Sequence, residues 1–227
     1  VRRDTFAVLV VLALSGCPAP VGMDDGGTGG GGGGTGTGGG GGSEPVDAGF
    51  ARSARGNLRF KGNERLTFDV AVSLGLPIDQ LCLELGQYPC TYVVHTVALG
   101  GVDPYGKGLF EGAHVTGATT PIVVERVALA ACHKRVTQDL ATPGSALVFK
   151  SIPVSGGKLT APNGPEVRLA LSELAQRAWL RDPTEAELQH LIGLNAGIEA
   201  LNVPDSAQAF MKAACFTVFT SAESVFY

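Results

Sequence analysis

Surplus charge of either sign is what this sequence has least of. Its 227 residues carry 17 Lys+Arg against 21 Asp+Glu, a formal net charge of −4. From Phe50 onward the count is 15 basic against 16 acidic residues, a net of −1. Such a region has neither the basic surplus of a general nucleic-acid binder nor a field that would steer charged substrates. Cys-x-x-Cys and Cys-x-x-Cys-His are absent, which removes a zinc knuckle and covalently attached c-type haem. His-Glu-x-x-His is missing, and Val154-Ser155-Gly156-Gly157 lacks the first glycine of a Gly-x-Ser-x-Gly nucleophile elbow. Neither heptads nor a fixed-period repeat occurs, so a coiled coil and a solenoid are set aside.

Glycine, by contrast, is abundant and unevenly placed. Of 33 glycines, 14 fall in the 17 residues 26–42, where the others are Thr28, Thr35 and Thr37. A stretch without side chains to bury cannot offset the entropy of ordering its backbone. It reads as a flexible tether over residues 17–49, with acids at Asp24, Asp25, Glu44 and Asp47 and no base. Its root-mean-square span is about 30 Å by random-coil scaling. A glycine-rich phosphate loop would need a flanking strand and helix, and neither is there. Residues 50–227 then remain as one globular domain.

The N-terminal residues carry an address. Arg2 and Arg3 precede nine apolar residues, Phe6 to Leu14, a run that spans about 13 Å as a helix and falls short of a bilayer core of about 30 Å. A processed export signal over residues 1–16 is the expectation. The run ends in Leu14-Ser15-Gly16-Cys17, which resembles the lipobox of bacterial lipoproteins. That resemblance implies cleavage before Cys17, acylation of its thiol and amine, and attachment to membrane lipid without a spanning helix. Pro18 stands where an inner-membrane retention signal would have Asp, so the outer membrane is the expected location.

Within the domain the pattern is mainly helical. Asn63 is placed to cap a helix carrying Leu66, Val70 and Leu74. Pro77 opens a second at residues 78–85, ended by Gly86, and Pro89 opens an apolar stretch to residue 99. Thr120-Pro121 begins the longest helix, to about Ala141, with Val124, Val127, Ala128, Ala131 and Leu140 offered to the core. A further helix follows Asn163-Gly164-Pro165 through Leu180, with Leu169, Leu171, Leu174, Ala178 and Trp179 as its stripe. Asp182-Pro183-Thr184-Glu185 reads as a capping box for the next, and Pro204-Asp205 opens the last. Two irregular insertions, residues 100–119 and 142–162, interrupt the helices, and residues 146–149 suit a short strand. The fold class expected is a mainly α, disulfide-stapled multi-helix domain.

Removing Cys17 leaves Cys82, Cys90, Cys132 and Cys215, an even number in an exported domain. Three pairings are open. Cys82–Cys90 and Cys132–Cys215 is the preferred one, the first stapling two consecutive helices across a turn, the second tying the long central helix to the C-terminal one.

Chemistry is sparser. Gly101-Val102-Asp103-Pro104-Tyr105-Gly106-Lys107 fits the glycine and lysine spacing of a nucleotide loop, but Gly108 replaces the magnesium-binding hydroxyl and no helix follows, so no nucleotide is expected. The histidines are His95, His114, His133 and His190. His95, Asp103 and His133 are the candidate metal ligands, although no ligand spacing supports them and no cofactor is expected. Glu185 and Glu187 are read as solvent-facing acids at a helix start, explained by capping and dipole effects. Arg52, Arg55, Arg59, Lys61 and Arg65 form a basic entry segment, suited to anionic lipid headgroups or an acidic partner, or to pairing with the tether acids.

Two C-terminal segments, residues 177–188 and 220–227, resemble the Arg-x-x-Thr-x-x-Glu and Ser-Pro-Glu-Phe segments of uncharacterised helical domains in secreted, cytochrome-associated bacterial proteins. Ala222 replaces the usual proline, and the resemblance implies a shared scaffold without haem. The functional expectation is a lipid-anchored binding or structural module of the cell envelope with an envelope protein as partner. An exported hydrolase or metal-dependent enzyme near His95, Asp103 and His133 is the alternative, followed by an accessory subunit of an electron-transfer complex.

Overall fold

A computed structural model describes residues 58–112 and 116–227, so the expected export signal, Cys17, the expected tether, Arg52, Arg55 and His114 lie outside the described residues. The domain is mainly helical, with five long helices, α1 (Gly62–Leu74), α2 (Thr120–Ala141), α3 (Pro165–Trp179), α4 (Glu185–Ala200) and α5 (Ser206–Thr220), and a short α6 (Ala222–Val225). Two small antiparallel hairpins, β1 (Leu83–Glu84) with β2 (Tyr88–Pro89) and β3 (Val154–Ser155) with β4 (Lys158–Leu159), sit in the connections. Among the described residues no helix is long and apolar enough to cross a membrane.

Helix α5 is the centre of the molecule because its apolar residues cover more than one face. Ala207, Phe210, Met211, Ala214, Cys215, Val218 and Phe219 are all buried, and the helix packs against α2, α3 and α4. Its small residues let α2 approach closely, and the Cys132–Cys215 disulfide joins the two helices with Cα atoms 5.7 Å apart. Helix α1 packs on α2 and α3 through Leu66, Val70 and Leu74. It ends at Gly75, whose φ of 58° lets its N–H and that of Leu76 turn back to Val72 O and Ala71 O. A Cβ at Gly75 would also meet the Leu147 side chain, so glycine is needed there twice over.

The first and last described segments close on each other. Phe60 bridges Phe226 antiparallel, with Arg59 N–H to Tyr227 O and Tyr227 N–H to Arg59 O, both at 3.0 Å, and their rings meet edge to face at 6.2 Å.

Several local expectations are corrected. Asn63 is not the cap of α1; it is buried in the first turn, where its backbone carbonyl accepts from Thr67 Oγ1 at 2.7 Å. Residues 78–85 form a single 3-10 turn (Ile78–Gln80) and then β1, because Leu85 (φ 52°) and Gly86 (φ 73°) reverse the chain into a hairpin. The Cys82–Cys90 disulfide therefore staples two arms of a hairpin, Cα to Cα 5.4 Å, not two helices. Leu140 and Leu169 are exposed, at 38% and 61%, on the outer faces of α2 and α3. Residues 146–149 are buried but not a strand: the Asp139 carboxylate accepts the backbone N–H groups of Leu147, Val148 and Phe149 at 2.8, 3.1 and 3.0 Å. These donors are satisfied without a sheet partner. The capping box of α4 runs two residues later than expected, between Thr184 and Glu187, with Pro183 outside the helix.

Candidate functional site: a carboxylate cluster beside a cleft

The hairpin brings chemistry together that the linear spacing conceals. Past Pro89 the chain makes one wide π-type turn (Cys90–Val94), closed by His95 N–H to Cys90 O at 2.7 Å. Wide turns of this kind displace side chains from regular helical positions. Here the turn swings His95 back over β1, where its Nε2 lies 3.2 Å from Glu84 Oε1. From the other side Arg126, on α2, donates through Nε and Nη2 to the two oxygens of Glu84, each at 2.9 Å. The fork-to-fork bond to Arg126, and then the one to His95, hold the Glu84 carboxyl down at about 2. Cys90 Sγ stands 3.7 Å from the same Oε1. Among the described residues, Cys82, Glu84 and Cys90 form the group of side chains whose ligand atoms gather closely enough for a metal ion, and in this structure the two sulfurs are joined as a disulfide.

A cleft of about 700 Å³ opens against the same turn, lined in part by Val94 and Thr96, which flank His95 in the chain. It is lined by Tyr92, Val93 and Val94 of the wide turn and by Val102, Asp103 and Lys107 of the insertion. Thr120, at the start of α2, also lines it, and its Oγ1 donates to Ala98 O at 2.7 Å and accepts from Gly117 N–H at 2.9 Å. The Gly101–Lys107 pattern folds as a turn at the rim: Asp103 pairs across to Leu109, and its Oδ1 accepts from Gly106 N–H at 2.8 Å. A Cβ at Gly106 would collide with that carboxylate, which accounts for the glycine without a nucleotide.

The three candidate metal ligands go to three places. His95 faces Glu84, Asp103 caps its own turn, and His133 is exposed on α2, two turns or about 10 Å beyond Arg126. Partial desolvation, and then the nearby Lys212 ammonium, hold His133 below the usual imidazole range. His190 is exposed on α4. Sequence reasoning selected His95 but missed Glu84 and Arg126, which come from 42 residues apart. The one available signal was that Glu84 lies between two cysteines expected to bond.

A second groove, about 420 Å³, lies where the described chain begins. Arg65 covers the Tyr227 ring at 5.1 Å, and Lys61 pairs with Asp69 at 2.9 Å. Lys61 and Arg65 of the basic segment are thus engaged within the domain. The two segments that carry the C-terminal resemblance meet beside this groove. Arg181 sits over the Trp179 ring at 5.1 Å and donates to Glu187 and Glu223, while Trp179 Nε1 donates to Ser221 Oγ at 2.8 Å. Glu187 is held down at about 2, by Arg181 first and the Thr184 N–H second, so it serves the cap of α4, as expected of an acid at a helix start, and also grips Arg181.

No protein-family model matches this chain, and no curated protein and no solved structure matches it either.

Proposed function

We propose that this chain is a membrane-anchored lipoprotein of the bacterial cell envelope, held to the outer membrane through acylated Cys17, whose globular domain acts by binding an envelope partner. The basic n-region, the nine-residue apolar run and Leu14-Ser15-Gly16-Cys17 support the anchor. The observation that carries the binding role is the cleft of about 700 Å³ between the wide turn and the insertion. Its lining combines the apolar Tyr92, Val93 and Val94 with one acid and one base, Asp103 and Lys107. Concave apolar surface with a few placed polar groups is what binding sites have in common. Two disulfides and a helical core give that surface a rigid support.

The test has two arms. Labelled palmitate should enter the wild-type chain and leave it in Cys17→Ala, which should no longer fractionate with membranes. A detergent-solubilised pull-down should recover a partner with wild type and lose it with Val94→Asp in the cleft wall. Unlabelled wild-type protein, or a partner retained by Val94→Asp, would refute the corresponding half. A haem protein as the partner would favour an accessory role in electron transfer.

A further inference from the structure

We propose that the Cys82–Cys90 disulfide is one of two states of this hairpin, and that the reduced pair, together with Glu84 and His95, forms a four-ligand zinc site. The two Sγ atoms and a Glu84 oxygen already lie within 4.8 Å of one another. Glu84 Oε1 is the common neighbour, 3.7 Å from Cys90 Sγ and 3.2 Å from His95 Nε2. Donors sharing a tetrahedral zinc at bond lengths of about 2.0–2.3 Å stand about 3.3–3.8 Å apart. Glu84 Oε1 is thus at ligand spacing from both the Cys90 sulfur and the imidazole, while His95 stands outside the close group of Cys82, Glu84 and Cys90 and would have to close on it as the fourth ligand; two sulfurs, one nitrogen and one oxygen are donors that zinc accepts. Zinc knuckles reach such a set through Cys-x-x-Cys spacing; here a hairpin and a wide turn reach it.

The scaffold has supports besides the sulfur–sulfur bond. Leu83 pairs with Pro89 and Glu84 with Tyr88, Cys90 N–H donates to Cys82 O at 3.0 Å, and His95 N–H to Cys90 O at 2.7 Å. Arg126 Nη2, 2.9 Å from Glu84 Oε2, would stay as an outer partner while Oε1 turns to the metal. Its charge offsets the −1 left by two thiolates and a carboxylate around Zn²⁺. Both cysteines are buried, whereas the Glu84 and His95 side chains are 22% and 27% exposed, so the ion has a way in from their side.

The step balances simply. A dithiol reductant attacks one sulfur, the Sγ–Sγ bond breaks, and two electrons and two protons pass to the cysteines while the reductant leaves as its own disulfide. Zinc then displaces the two thiol protons to solvent. Oxidising surroundings hold the covalent staple, and reducing surroundings hold the metal in its place.

The test uses the full chain in detergent, stripped of metal, oxidised or reduced with a phosphine. The reduced protein should take up one zinc per chain and the oxidised protein none, and cobalt in place of zinc should give a thiolate charge-transfer band. Glu84→Gln and His95→Ala should each weaken zinc about tenfold or more. Reduction also opens Cys132–Cys215, so Cys82→Ser/Cys90→Ser reports what that pair contributes: uptake equal to wild type overturns the proposal. Reduced wild type that binds no zinc, or that loses its helical signal and does not regain it with zinc, overturns it too. Should the double-serine chain fail to fold, Glu84→Gln/His95→Ala keeps all four cysteines, and undiminished affinity there is decisive against it.

Discussion

Arg135 and Asp139, one turn apart on α2, form an ion pair at 2.6 Å inside the core, where the Asp139 side chain is fully buried. The same carboxylate holds the backbone of the chain that follows α2, receiving the N–H groups of Leu147, Val148 and Phe149. Arg135 reaches the other way, to Leu74 O at the end of α1, at 3.4 Å. One pair thus ties the exit of α1 to the start of the second insertion.

Asp139→Ala strands a buried guanidinium and three backbone donors together. Breaking a buried pair from one side costs about 3–5 kcal/mol, so urea denaturation should show a loss of that order. Asp139→Asn keeps an acceptor oxygen and should lose less. Equal losses for the two variants would show that neither the charge nor the extra acceptor matters.

The two disulfides should differ in worth because they close loops of different length. Their sequence separations are 8 and 83 residues, for which loop-closure entropy gives about 2–3 and about 4–5 kcal/mol. Cys132→Ala/Cys215→Ala should therefore destabilise by about 2 kcal/mol more than Cys82→Ala/Cys90→Ala. A reversed order in denaturant midpoints would mean that packing around Cys132 and Cys215 compensates.

Acid should weaken the fold through Glu84 and Glu187. Both carboxyls sit at about 2 in the folded chain against an ordinary 4.5. A folded value below the unfolded one gives stability that is complete above the unfolded pKa and is lost as pH falls through the folded one. The melting temperature should accordingly drop between pH 4.5 and about 2, and Glu84→Gln or Glu187→Gln should each flatten that slope.

Trp179, the single tryptophan, reports on the C-terminal closure. It lies under Arg181, and its indole N–H is held by Ser221. Arg181→Lys keeps the charge but loses the planar fork that grips Glu187 and Glu223 together. Tryptophan emission should shift to the red and the melting temperature should fall, whereas an unchanged spectrum would separate the fork from the burial of the indole.

How much of this was legible depends on the range over which each feature is decided. The bounds of α2 follow from Thr120-Pro121 and the apolar spacing behind it, and the fold class from the same periodicity. Residues 78–85 have helical spacing too, yet they become a hairpin because two consecutive left-handed residues and a cross-strand disulfide outweigh a weak local preference. Residues 146–149 look like a strand because they are apolar. What their backbone bonds to is a carboxylate on α2, and periodicity carries no information about that partner. His95 stood out as a histidine, while Glu84 and Arg126 looked like ordinary surface charges until the hairpin and α2 met.

The linear order of residues by itself determined the composition-level facts: a near-neutral helical domain behind a glycine-rich stretch, helix starts marked by proline and capping residues, and an even set of cysteines. These rest on backbone preference and on local hydrophobic period, which act over a few residues. The folded chain alone decided that Glu84, His95, Arg126 and the Cys82–Cys90 bond share one place, and that Asp139 serves a distant backbone. Such assemblies depend on which distant segments burial forces into contact, and that is settled only when the whole core closes.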